Sequence, residues 1–247
     1  MPEGDAVHRA AVTLRLLAGE RIEAESPHPR GAATGVARAV DGLVFESVEA
    51  VGKNLLLHFE GGLTIRSHLR MSGRWRVQKR GATVVGRPWL VLRGTQWEAI
   101  EWNGPVLGID RGIRGRVGPD VLGADVERTD LARAVRCASA ERLLGDVLLD
   151  QRVISGVGNM WAAEGLWHAR LSPWLRVGEA SDDEIDELIG WLRAAMQSSV
   201  AGVRSACSVY RRPGRPCPRC RARIRSGGLG DANRTAYWCP GCQRTDG

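Results

Sequence analysis

Lysine is almost missing from this chain of 247 residues: of thirty-five basic side chains, only Lys53 and Lys79 are not arginine. No run of eighteen apolar residues occurs, which excludes a membrane-spanning helix, and the amino terminus lacks the apolar core of a secretory signal. The expected compartment is therefore the cytoplasm. In that reducing setting six cysteines point to metal binding or free thiols rather than disulfides. What the chain has in abundance is positive charge, with a formal net charge of +7 and an isoelectric point near 9.6. Such a balance implies a polyanionic partner, and the planar fork of arginine suits phosphate, although a GC-rich genome would produce the same arginine bias.

The first five residues, Met1-Pro2-Glu3-Gly4-Asp5, organise the reading. Aminopeptidase removal of Met1 would expose the secondary amine of Pro2. An α-amino group has a reference pKa near neutrality, so an unprotonated fraction is available at pH 7 to attack an aldehyde carbon. Glu3 beside it can move protons if partial burial raises its pKa. The bland alternative is that proline simply begins a helix. A helix from Ala6 to Gly19 is predicted by Val7, Ala10, Ala11, Leu14, Leu17 and Ala18, which recur at steps of three and four, with Gly19 as the stop. Pro2 would then lie at the positive pole of its dipole, which keeps the amine neutral.

From Arg21 to Asp110 the period becomes two. Strands are predicted at 43–51, 55–59, 63–69, 75–78, 89–93 and 97–102, with turns at Glu60-Gly61-Gly62 and Gly94-Thr95. This pattern reads as a β-sandwich or barrel. Two places stand out within it. Lys53 precedes an apolar strand, where a compact point charge or an exchangeable proton would explain a lysine in an arginine-rich chain; a solvated turn explains it equally well. Met71, in His68-Leu69-Arg70-Met71-Ser72-Gly73, is either a wedge on a basic loop or a core residue.

After Gly118-Pro119 the pattern turns helical, with Arg111 to Gly123 as the linker. Ser139 is expected to cap a helix through Leu149. The turn Ile154-Ser155-Gly156-Val157-Gly158 then leads to Asn159, expected to open a helix over 160–169. Two helices joined by a glycine turn make a phosphate site from backbone amides and a helix amino end, to which Asn159 would add a donor; an ordinary capped helix is the plainer reading. Leu171 to Trp174 breaks the chain, and Ser181-Asp182-Asp183-Glu184 is a capping box for a helix through Met196. Trp161, Trp167 and Trp191 are expected in the core. Near the carboxy end, Cys217-x2-Cys220 and Cys239-x2-Cys242 are eighteen residues apart, the spacing of a four-thiolate zinc ribbon. Cys137 and Cys207 fall outside that spacing and are expected as free thiols. Ten arginines against Asp231 and Asp246 follow residue 203, giving the ribbon a positive field.

Taken in order, these pieces resemble the formamidopyrimidine-DNA glycosylase and endonuclease VIII family of base-excision repair enzymes. The resemblance covers nearly the whole chain and rests on Met1-Pro2-Glu3-Gly4, Gly52-Lys53, Ser67-His68-Leu69 with Met71 and Gly73, Gly156-Val157-Gly158-Asn159, and Cys239-Pro240-Gly241-Cys242-Gln243. It implies an α+β multidomain fold. An N-terminal helix plus β-sandwich over 1–118 would be the catalytic domain, a helical helix-two-turn-helix domain over 119–206 would bind DNA, and a zinc ribbon over 207–247 would complete it. By the same resemblance Pro2 attacks C1′ of the damaged nucleotide and Glu3 assists base loss and sugar ring opening. Lys53 contacts phosphate and supports the first elimination, while His68 and Asn159 bind phosphate. Arg234 grips the phosphates beside the lesion and serves the second elimination, and Met71 fills the gap left by the flipped base. One structural zinc at Cys217, Cys220, Cys239 and Cys242, a damaged double-stranded DNA partner, no small-molecule cofactor, no membrane, a monomer and a nucleoid location complete the expectation.

The chain departs from the family in three places. Ala6 follows Asp5 where several members carry an acid, Ile109 to Gly115 stands where the purine-directed branch has Asp-Pro-Arg-Arg-Phe-Gly, and the spacing of the cysteine pairs is about two residues longer than usual, with the slack at 226–231. The lean is therefore toward the endonuclease VIII branch and oxidised pyrimidines. A purine-directed glycosylase and a catalytically silent zinc-ribbon DNA-binding protein are the rivals.

Overall fold

A computed structural model describes residues 2–203, 206–231 and 233–243; Met1, whose removal the reading above invokes, lies outside them, as do Arg204, Arg244 and Asp246. The chain divides into two compact units, residues 1–113 and 114–247.

The first unit begins with α1 (Gly4–Leu14), continued by a 3-10 turn (Arg15–Leu17) and stopped by Gly19, whose φ of 85° lies in the left-handed region open to glycine. The helix starts two residues earlier than its apolar spacing suggested, because Glu3 takes the extended N-cap conformation and its carbonyl accepts the N–H groups of Ala6 and Val7. Two antiparallel sheets follow. The first has five strands in the order β1 (Glu20–Arg21), β3 (Val44–Val51), β4 (Asn54–Phe59), β5 (Leu63–His68) and β9 (Val106–Ile109). The second orders β2 (Glu23–Glu25), β7 (Leu90–Arg93), β8 (Trp97–Trp102) and β6 (Arg74–Lys79). All six expected strands form, to within one or two residues at their ends. Phe45, Leu57, Phe59 and Ile65 of the first sheet share a core with Leu90 and Leu92 of the second, and Val7, Ala11 and Leu14 of α1 join it.

The period-two reading between Arg21 and Leu43 was too simple. Two short helices, α2 (Pro29–Ala33) and α3 (Val36–Val40), interrupt it. Pro29 sits at the first helical position of α2, where its fixed φ is favourable and its missing N–H costs nothing.

The second unit holds α4 (Arg128–Arg136), α5 (Leu144–Leu149), α6 (Asn159–His168) and α7 (Asp182–Val200), then the hairpin of β10 (Arg225–Leu229) and β11 (Arg234–Trp238). Ser181 and Glu184 form the expected capping box of α7. Ser139 caps nothing: Leu143 is the N-cap of α5, because the chain ahead of the helix is drawn out by an antiparallel bridge to Arg176 and by the bond from Leu144 N–H to the Leu175 carbonyl at 2.7 Å. Asn159 does not cap α6 either. Gly158 does, and Asn159 becomes the first helical residue with its side chain turned to another task. Trp161 is buried as expected, whereas Trp167 and Trp191 are only partly so. Leu229 and Ala236 of the hairpin enter the same core as Leu148, Ala162 and Leu166, so ribbon and helices share one interior. Among the described residues no helix is long and apolar enough to cross a membrane.

Candidate active site and nucleic-acid interface

In the first unit Pro2 borders an open concavity of about 290 Å³ with Ala6, Ala10, Leu69, Gly73 and Trp75. Glu3 beside it is only 2% exposed. Asp5 is also buried and pairs with Arg9 one turn on at 2.9 Å, while Ala6 offers no polar atom to the cavity it lines. The far wall is the turn between β5 and β6. Gly73 is required there, since a Cβ would lie 2.6 Å from the Leu69 carbonyl oxygen and 2.8 Å from that of Asn103. Arg70 holds a left-handed φ of 49°, a strained state for a residue with a side chain. Met71, next to it, is 66% exposed, which removes the core reading.

Lys53 lies in the two-residue turn that joins β3 to β4. Gly52 leads that turn with a φ of 59°, the first-position glycine of a hairpin turn. Asn54, buried at its end, donates to the Val51 carbonyl at 3.1 Å and accepts from Arg66 Nε at 2.8 Å, so one amide ties the turn to a guanidinium. His68 is close enough to feel Lys53, Arg66 and Arg70. Burial first, then the charges of Arg70 and Arg66, with Lys53 a smaller contribution, push its pKa down to about 4. Its Nδ1 accepts the Arg70 N–H at 3.0 Å, which leaves the proton of the neutral ring on Nε2. A neutral donor beside three cations is a place where an anion is welcome and a further positive charge is not.

The composition of this unit gave little warning of one buried acid. Glu101 of β8 is fully buried, and Ser67 donates to its Oε1 at 2.5 Å. Ser67 in turn accepts from the indole N–H of Trp75 at 3.1 Å, so the acid is linked through one hydroxyl to the cavity wall. Its other oxygen, Oε2, has no hydrogen-bond partner among the described residues, and burial lifts the pKa to about 8. The one hint in the sequence was a pair of acids, Glu98 and Glu101, in a strand whose other members are apolar.

In the second unit the side chain of Gln151 braces the turn ahead of α6. Its Oε1 accepts the Gly156 N–H at 3.1 Å, and its Nε2 donates to the carbonyls of Leu149 and Val157 at 3.1 and 2.9 Å. Asn159 donates to the Thr235 carbonyl of β11 at 2.8 Å, and the neighbouring Arg234 donates to the Leu149 carbonyl at 3.4 Å. The two expected phosphate ligands thus stand side by side within one unit. Arg234 also lines an open cavity of about 630 Å³ with Arg142, Asp146, Asp150, Arg152 and Gly230. The hydrogen bond from Arg152 holds the Asp150 carboxyl down at about 2, with help from Arg142, so these acids and bases largely satisfy one another.

The four cysteine sulfurs of Cys217, Cys220, Cys239 and Cys242 all lie within 4.8 Å of one another. Tetrahedral zinc with thiolates at about 2.3 Å requires sulfurs roughly 3.8 Å apart. Cys217 to Cys242 at 3.8 Å has that spacing, and Cys220 to Cys239 at 3.3 Å lies closer together than it. Cys137 and Cys207 lie outside this cluster, and neither forms a disulfide among the described residues.

Two family profiles match the chain: the formamidopyrimidine-DNA glycosylase N-terminal domain over residues 1–99 and the formamidopyrimidine-DNA glycosylase H2TH domain over residues 117–210. A probable endonuclease 8 2 of Streptomyces coelicolor is 35% identical over 98% of this chain and 94% of its own length. The DNA-(apurinic or apyrimidinic site) lyase Nei2 of Mycolicibacterium smegmatis is 33% identical over 98% of this chain and 99% of its own. In fold, the chain superposes on the Lactococcus lactis Fpg solved with DNA containing an abasic site, at a TM-score of 0.81 and 21% identity, covering 99% of this chain and 100% of that one.

The buried carboxyl of Glu101 makes the stability of the fold depend on pH. A carboxyl whose folded pKa exceeds its unfolded value near 4.5 stabilises the fold fully below that value, and the stability it confers falls as pH rises toward 8. At about 1.4 kcal/mol per unit, two pH units on that slope amount to roughly 3 kcal/mol. Glu101→Gln should therefore lose this part of the pH dependence and gain stability relative to the parent between pH 5 and pH 7, read from urea midpoints. Parallel midpoint curves for the two proteins would show that Glu101 is already ionised in the fold.

Proposed function

This chain belongs to the formamidopyrimidine-DNA glycosylase and endonuclease 8 family of DNA glycosylases and abasic-site lyases of base-excision repair, and we propose that it excises oxidised pyrimidines through Pro2 and cleaves the strand by β,δ-elimination. The observation that carries this reading is the pairing of Pro2, at the edge of an open concavity, with Glu3 buried at the N-cap of α1. The pyrimidine preference draws on the endonuclease 8 names of the relatives and on the absence of the purine-branch segment at 109–115.

The reaction follows from a free proline amine on damaged double-stranded DNA. Its lone pair attacks C1′, the N-glycosidic bond breaks, and the base leaves with a proton for which Glu3 is the donor. The proton left on the proline nitrogen passes through the Glu3 carboxylate to O4′ as the C1′–O4′ bond breaks, and this ring opening gives an iminium ion that carries its charge without needing protonation. That charge acidifies C2′, loss of the C2′ proton expels the 3′ phosphate, and a second elimination across C4′ and C5′ expels the 5′ phosphate. Lys53 supports the first elimination and Arg234 the second. His68 presents Nε2–H to a phosphate, Asn159 and Arg234 hold the phosphates beside the lesion, and exposed Met71 fills the stack where the base was. Residues 1–118 serve catalysis, 119–206 and 207–247 serve DNA binding, and one zinc on the four cysteines fixes the ribbon. The zinc, when bound, supplies folding energy and no chemistry.

Protein freed of Met1 should nick duplexes carrying an abasic site or thymine glycol, and should act on 8-oxoguanine at least tenfold more slowly. Glu3→Gln should lose base release while retaining cleavage at preformed abasic sites, where the base is already gone. Faster release of 8-oxoguanine would move the chain to the purine-directed branch, and tight binding without any nicking would make it a silent DNA-binding protein.

The phosphate roles have their own readout. Asn159→Ala and Arg234→Ala should each weaken binding to every duplex by about tenfold, and Arg234→Ala should lower the salt slope of the affinity by about one. An Arg234→Ala protein with the parental salt slope would remove Arg234 from the phosphate contacts.

A further inference from the structure

Two adjacent residues of β8 stand opposite two adjacent residues of β6 that line the Pro2 concavity: Trp102 pairs with Arg74, and Glu101 with Trp75, in the antiparallel register. In the first pair the Arg74 guanidinium carbon lies 4.9 Å from the centre of the Trp102 ring, whose indole N–H donates to the Val85 carbonyl at 3.3 Å. In the second pair the link is indirect. The indole N–H of Trp75 donates to Ser67 Oγ at 3.1 Å, and Ser67, on β5 of the other sheet, donates to Glu101 Oε1 at 2.5 Å. Ser67 and Glu101 are fully buried. The backbone closes over the carboxyl, since a Cβ on Gly104 would lie 2.3 Å from Oε1.

An apolar side chain would fill this interior without polar cost, whereas Glu101 leaves Oε2 unanswered among the described residues. What the acid adds is an acceptor for the Ser67 hydroxyl. With its own proton engaged, that hydroxyl turns a lone pair to the indole. We propose that Glu101, acting through Ser67, is a positioning residue for Trp75 and fixes the part of the concavity wall that this ring forms. The proposal rests on reading the Pro2 concavity as the site of attack on C1′. An indole free to turn about its side-chain bonds would change the shape of a cavity of about 290 Å³; one held through its N–H keeps that shape, so the sugar meets the Pro2 amine in one orientation.

Full-length protein freed of Met1 and labelled at the tryptophan nitrogens gives an indole N–H resonance for Trp75, identified by its loss in Trp75→Phe. Ser67→Ala and Glu101→Leu should each move that resonance, and Glu101→Gln, which keeps a carbonyl oxygen for Ser67, should leave it near the parental position. Single-turnover cleavage at a preformed abasic site, with protein at saturation, should slow about tenfold in Ser67→Ala and Glu101→Leu while the affinity for that duplex stays within about twofold. Glu101→Gln should bring the rate back to within about threefold of the parent. A merely structural role predicts lower urea midpoints at an unchanged saturating rate, and that result overturns the proposal. So does a Trp75 resonance that Ser67→Ala leaves unmoved. If Ser67→Ala and Glu101→Leu fail to fold, Trp75→Phe decides, since it keeps an aromatic wall without the donor: the same loss of rate supports the proposal and the parental rate overturns it. A parent protein that nicks nothing overturns the reading of the concavity and this proposal with it, whereas an active parent beside variants of parental rate overturns this proposal alone.

Discussion

The carboxylate of Glu164 accepts the backbone N–H groups of Ser208, Val209 and Tyr210 at 2.8, 2.9 and 2.8 Å. It is nearly buried, and three charge-assisted bonds are what allow a carboxylate to remain there. The constraint it imposes is simple: the first residues leading into the ribbon must stay against α6. From that anchor the two cysteine pairs can meet, and the hairpin of β10 and β11 returns to lay Thr235 against Asn159. Loss of the anchor would free both ends of the interaction that places Arg234.

Helix α6 explains why ten residues can do this. Six of them, Trp161 to Leu166, are buried, so the helix is a core element on nearly every side, and its polar residues Asn159 and Glu164 are committed to partners beyond it. Asn159 reaches the hairpin and Glu164 the entry to the ribbon, while Trp167 lies against the cysteine knuckle. Gly165 is needed where α7 crosses, since a Cβ would lie 2.7 Å from the Leu192 side chain. The expectation that Asn159 caps the helix failed for an instructive reason. Gly158 can adopt the extended N-cap conformation unaided, and this leaves the amide of Asn159 available for a contact far away in sequence.

Much of the fold was legible because its signals are local. Strands announced themselves by alternation, the α7 start by Ser181 and Glu184, the four-cysteine cluster by two Cys-x2-Cys pairs. The membership of the chain in its family was legible in short motifs that each bracket a turn or a terminus. What could not be read were features that depend on distant partners. Nothing near Glu101 in sequence shows that Ser67 and Trp75 will meet it, and nothing near Ser139 shows that Leu175 and Arg176 will draw the following residues straight. The short helices α2 and α3 escaped because Arg30, Gly31, Arg38 and their neighbours carry too little apolar periodicity to reveal a single helical turn. The exposure of Met71 was equally hidden, for the same sequence fits a core turn until the strained backbone of Arg70 turns it outward.

The chemistry proposed for this chain turns on the amine of Pro2 as nucleophile. Reduction with borohydride in the presence of abasic-site DNA, followed by digestion with trypsin and mass mapping of the linked peptide, tests it most directly. The account predicts the reduced sugar on the peptide from Pro2 to Arg9, attached at the proline nitrogen. A link found instead on Lys53, or undiminished linking in protein that still carries Met1, would contradict it.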